Sequence, residues 1–80
     1  MNQRFRRLLL SRHAVREARR EKIPIEMIAN AYDDPDSTRE SEHDELRQIR
    51  MRWIGDEGIE VVVDTTDGRV ATVWRKGHKP

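Results

Sequence analysis

Five side chains in this 80-residue sequence are of types that fit one chemistry: His13, Arg50, Arg52, Thr72 and Trp74. Cleaving RNA without a metal requires activation of a 2′-hydroxyl, stabilisation of phosphate charge and protonation of the leaving 5′-oxygen. His13 is the acid/base candidate, placed near a helix start where anions are favoured. Arg50 and Arg52 stand two apart on one strand, so they share a face and can clamp one phosphate. Thr72 can hydrogen-bond a phosphate oxygen or a ribose hydroxyl, and Trp74 can stack a base. Each also has a plain structural role open to it. His13 can pack the helix start onto a sheet, the arginines can be a solvated strand face, and Trp74 can be ordinary packing.

Other chemistries find less support. His13, His43 and His78 have no metal-ligand spacing. The acidic run Asp33-Asp34-Pro35-Asp36 lacks the alternating oxygens and turn glycine of a calcium loop, and reads as a helix stop. Ser11, close to His13, is better explained as an N-cap than as a nucleophile. No metal and no cofactor is expected. The absence of cysteine removes disulfides and thiolate chemistry. No apolar run is long enough to span a bilayer, and Arg12 ends the short Leu8-Leu9-Leu10 run. A cytoplasmic protein with no membrane partner follows.

The elements that must position these groups come in two blocks. Ser11 caps a helix over about 12–22, with Ala14, Val15 and Ala18 as a thin apolar stripe. Pro24 opens a second helix over about 24–33, burying Ile25, Ile28, Ala29 and Tyr32. Phe5 to Leu10 is either a short strand or a helix start, and Thr38 to Glu45 either an edge strand or a loop. The last third is a three-stranded meander. Asp67-Gly68 asks for a two-residue turn, setting Val63 opposite Thr72 and Val61 opposite Trp74. Asp56-Glu57 between glycines sets Ile54 opposite Ile59, Arg52 opposite Val61 and Arg50 opposite Val63. One sheet face then carries Ile49, Met51, Trp53, Val62, Ala71 and Val73, and the helices are expected to cover it. The other carries Arg50, Arg52, Val61, Val63, Thr72 and Trp74. The whole is a single α+β domain, 1–80: two N-terminal helices on one face of a three- to four-stranded antiparallel sheet, with residues 1–4 and 77–80 as flexible tails.

Charge is segregated along the chain. Residues 1–22 hold eight Arg/Lys against two Glu, a net +6. Residues 23–45 are net −7 and residues 46–80 net +2. The basic start, with Arg12, Arg16 and Arg20 on its helix, suits a polyanion such as RNA; it can equally pair with the acidic middle. Charged residues are 39% of the chain and hydrophobic ones 35%. The core must be small, which leaves room for a weak homodimer to add to it.

The order Leu10-Ser11-Arg12-His13-Ala14, Arg16, Arg20, Ile23 to Ile28, Asp34-Pro35 and Val70-Ala71-Thr72-Val73-Trp74 resembles the bacterial domain-of-unknown-function 4258 family. That family sits near the BrnT and RelE toxins, whose helical start packs on a curved antiparallel sheet. The resemblance covers nearly the whole chain. It implies a metal-independent ribonuclease-like toxin controlled by an antitoxin protein and acting on free or ribosome-associated RNA, or a relative that has lost activity. By position it carries over His13, Arg16 and Thr72. The chain departs at Trp74, where RelE-like toxins often have a tyrosine; indole cannot serve as an acid or base. The alternative is a non-catalytic module of the same fold that binds RNA or protein.

Overall fold

The computed structural model describes residues 8–78. Helix α1 spans Arg12–Glu21 and α2 Ile25–Asp33; strands β1 (Ser37–Glu40), β2 (Arg47–Ile54), β3 (Glu57–Asp64) and β4 (Val70–His78) follow. The strands form one antiparallel sheet in the order β1-β2-β3-β4. The α+β architecture, two helices with a four-stranded meander, is therefore as expected. Thr38 to Glu40 belong to an edge strand. Gly77 and His78 belong to β4 rather than to a tail. The readings made for residues 1–7, 79 and 80 lie outside the described residues.

Ser11 does cap α1, its Oγ accepting from the Ala14 N–H at 3.0 Å. The same hydroxyl donates to the Ala71 carbonyl at 2.8 Å, and the Ser11 N–H donates to the Val70 carbonyl at 2.9 Å. One residue thus starts the helix and ties it to β4. Lys22 ends the helix in the left-handed conformation, at φ 57°.

The covered sheet face is the opposite of the one expected. Ile59, Val61, Val63, Val70 and Val73 form the core with Ala14, Ala18, Ile23, Ile28 and Ala31. Arg50 and Arg52 pair with Val61 and Ile59, so they too lie on the helix side. Ile49, Met51, Trp53 and Val62 lie on the other side, which neither helix covers, although Met51 and Val62 are buried there. The reason is Glu60, whose position alternates onto that side beside Val62. A central carboxylate makes a poor floor for apolar helices, whereas the Ile59/Val61/Val63 side is wholly aliphatic.

The two hairpins explain which pairings moved. The β2–β3 turn is Gly55-Asp56, with Gly55 at φ 65° and Ile54 opposite Glu57. The expected register was off by two, which preserves faces. The β3–β4 register is off by one: Val61 pairs with Val73, Val62 with Thr72 and Glu60 with Trp74. A one-residue slip exchanges faces, so Val73 enters the core while Thr72 and Trp74 leave the side of Arg50 and Arg52. The cause is local. A two-residue primed turn needs positive φ at both Asp67 and Gly68, yet of the two only Gly68 adopts it. The Asp64 carboxylate instead accepts from the Thr66 N–H and hydroxyl, building a wider loop closed by Gly68 N–H to the Asp64 carbonyl at 2.7 Å. A register shift beyond it, between Val62 and Val63, leaves Ala71 as the extra residue.

Candidate functional site

Arg50, Arg52 and Arg75 all point toward the helix layer and cap it. Arg50 Nη1 donates to the Tyr32 carbonyl at 2.7 Å, Nε donates to Gln48 Oε1, and the guanidinium lies 4.7 Å from the Tyr32 ring centroid. Arg52 Nη1 donates to the Asp34 carbonyl at 2.6 Å and pairs with its carboxylate. Arg75 donates to the Glu21 and Lys22 carbonyls at 2.9 and 2.8 Å and pairs with Glu57. These cations satisfy carbonyls at both helix C-termini, Tyr32 and Asp34 at the end of α2 and Glu21 and Lys22 at the end of α1. The expected Arg50/Arg52 phosphate clamp is thus tied to the backbone of α2, on the side opposite Thr72 and Trp74.

A different set converges on the open side. His13 and Thr72 line one cleft of about 470 Å³, together with Ser11, Arg47, Arg69 and the turn carboxylates Asp64 and Asp67. The Ser11 bonds to Val70 and Ala71 bring the start of α1 beside β4 and so bring His13 to Thr72. Arg47 opens β2, and Arg69 ends the β3–β4 loop. Asp64 and Asp67 are occupied within the turn, Asp67 Oδ1 accepting from the Arg69 N–H. The Thr66 hydroxyl, then the Thr66 N–H, hold the Asp64 carboxyl below its ordinary value, with Arg47 and Arg69 adding to the effect.

Thr72 and Arg47 also line a second cleft, of about 510 Å³, so the two adjoin. Ile49, Val62 and Trp74 give it apolar lining, and Arg39 and His43 join them with the acidic residues of 40–44. Glu60 lies under Trp74, only 3% exposed. It accepts from Trp74 Nε1 at 2.7 Å and from Arg39 Nη1 at 3.1 Å, and Lys76 Nζ stands 3.7 Å away. These donors compensate a carboxylate withdrawn from water. Farther along, Trp53 lies over Gly58: a Cβ there would come within 3.1 Å of the ring. Both tryptophans share the open side, although Trp53 read as core.

The remaining expected contacts scatter. Arg12 and Arg16 are exposed on α1, outside the cleft lining. Arg20 pairs with Glu17 at 2.5 Å and lies 3.8 Å from Glu21, so its charge is largely met on its own helix. Sequence reasoning missed Arg39, Arg47, Glu60 and Arg69. Glu60 carried a readable signal, a lone charge inside Ile59-Glu60-Val61-Val62-Val63. Arg47 and Arg69 carried none, since their meeting depends on the loop that Asp64 shapes.

Comparison with known proteins yields no match to any family model, curated protein or solved structure. No helix among the described residues is long and apolar enough to cross a membrane.

Proposed function

We propose that this protein binds single-stranded RNA in the cleft shared by His13, Arg47, Arg69 and Thr72. The observation that carries this reading is the convergence of a histidine, a hydroxyl and two arginines, drawn from α1, β2, the β3–β4 loop and β4, on one solvent-open cleft. Two guanidiniums supply planar donors for phosphate. Trp74, in the adjoining cleft, offers a ring for a base. Affinity that falls with salt, and a slope that loses roughly one unit when Arg47 or Arg69 is replaced, is the expected behaviour. Binding indifferent to both substitutions would reject this site.

The ribonuclease-toxin reading rests on the same cleft, and His13 beside Thr72 favours it. There His13 acts as general acid or base, the role of charge stabiliser passes from Arg50 and Arg52 to Arg47 and Arg69, and an antitoxin protein controls the activity. Under this reading His13→Ala lowers the cleavage rate about 10²-fold or more. RNA left intact by the wild type, alone and with ribosomes, leaves the binding module.

A further inference from the structure

Two residues that the helical pattern assigns to the core are exposed instead: Val15 by 37% and Ile25 by 53%. They line one groove, of about 380 Å³, that runs along α1 from Val15 to Lys22 and over the first turn of α2. Ala18 and Ile23 are among its other apolar residues. Among the described residues Arg19 and Lys22 are its only charged lining residues, both basic. Among the described residues this apolar strip has no partner, and its single sign of charge defines the complement it would take.

We propose that this groove docks an acidic amphipathic helix of a partner protein. The partner's apolar residues, at i, i+3, i+4 and i+7, would lie against Val15, Ala18, Ile23 and Ile25. Its carboxylates would meet Arg19 and Lys22. A second copy of this chain fits less well. A two-fold contact sets the same patch against itself, and the described lining holds cations without a carboxylate to oppose them. From Val15 to Lys22 the groove follows about two turns of helix, the length an i to i+7 stripe spans. Val15 lies two residues from His13, about 200° around the helix. The groove therefore faces away from the RNA cleft, and both can be filled together.

A synthetic helix of roughly three turns, with leucine at i, i+3, i+4 and i+7 and glutamate elsewhere, is a suitable probe, set against its lysine counterpart. Titrated into the full chain and followed by amide and methyl NMR, the glutamate peptide should shift Val15, Ile23 and Ile25, and the lysine peptide should not. Val15→Asp and Arg19→Glu should each weaken binding at least about tenfold (~1.4 kcal/mol), with dispersed spectra showing that the fold is retained. Both sites are exposed, so folding should survive either change. RNA binding should be unaffected by saturating peptide. Equal binding of both peptides, or none, would overturn the proposal. So would concentration-dependent dimerisation that buries Val15, or nuclear Overhauser contacts between Phe5 and Val15 in the free protein, which would give the groove to a second copy or to this chain's own start.

Discussion

The indole N–H of Trp74 donates to Glu60 Oε1 at 2.7 Å, across a directly paired position of β3 and β4. The bond fixes the ring on the open sheet face and answers part of the charge that burial has stripped of water. Arg39 and Lys76 meet the other oxygen. Glu60 is therefore the pivot of the open face, and it is also the residue that keeps the helices on the other side.

Replacing that carboxylate tests its place directly. Glu60→Ala should destabilise by about 2 kcal/mol, the scale of losing a hydrogen-bonded buried charge. The Trp74 indole proton should also exchange faster with solvent. Glu60→Gln should keep the indole bond and lose less. Urea midpoints together with indole exchange rates check both, and an unchanged Trp74 resonance in Glu60→Ala would contradict the assignment.

Arg50 should behave as a structural residue. It donates to a helix carbonyl and lies over Tyr32, so Arg50→Ala should cost about 2 kcal/mol. Arg47, exposed at the cleft, should cost less than about 0.5 kcal/mol when replaced by alanine. RNA affinity should show the reverse order once the folded fraction is matched. Denaturation curves and binding titrations on the two variants make the comparison.

Asp64 gives the fold an acid-sensitive turn. Its folded pKa is lowered, chiefly by the Thr66 hydroxyl, so the stability it adds is fully present above the ordinary carboxylate range of the unfolded chain. That stability is lost as pH falls through the lower folded value. The gap in urea midpoint between wild type and Asp64→Asn should be full near neutrality and shrink below about pH 4. A gap constant with pH would show that the charge plays no part.

Gly58 should resist substitution. A Cβ at that position meets Trp53 Cζ3 at 3.1 Å and Lys76 Cβ at 3.3 Å, so alanine must lift the ring from the sheet. Gly58→Ala should destabilise by about 1 kcal/mol and change the Trp53 fluorescence. Thermal unfolding and emission spectra measure this.

The elements were legible because their signals are local. Ser11 and Pro24 marked the helix starts, and Gly55 and Gly68 fall in turns with positive φ. The site was less legible because it depends on strand parity. A misjudged turn at Gly55-Asp56 moved β2 by two residues and did no harm to the faces. At Asp67-Gly68 an error of one residue sent Thr72 and Trp74 to the other side from Arg50 and Arg52. The side-chain bonds of Asp64 made that difference, and strand periodicity does not encode them. Choosing the covered face turned on Glu60, whose lone charge among aliphatics outweighs the appeal of Trp53 as a core residue.

The central claim is that RNA lies where His13, Thr72, Arg47 and Arg69 meet. Amide NMR at low salt, with a short single-stranded RNA added stepwise, tests it most directly. The account predicts graded shifts at these four residues and at Trp74, with Arg50, Arg52, Val15 and Ile25 left in place. Shifts confined to the α1–α2 groove, or none in the cleft at saturating RNA, would contradict it.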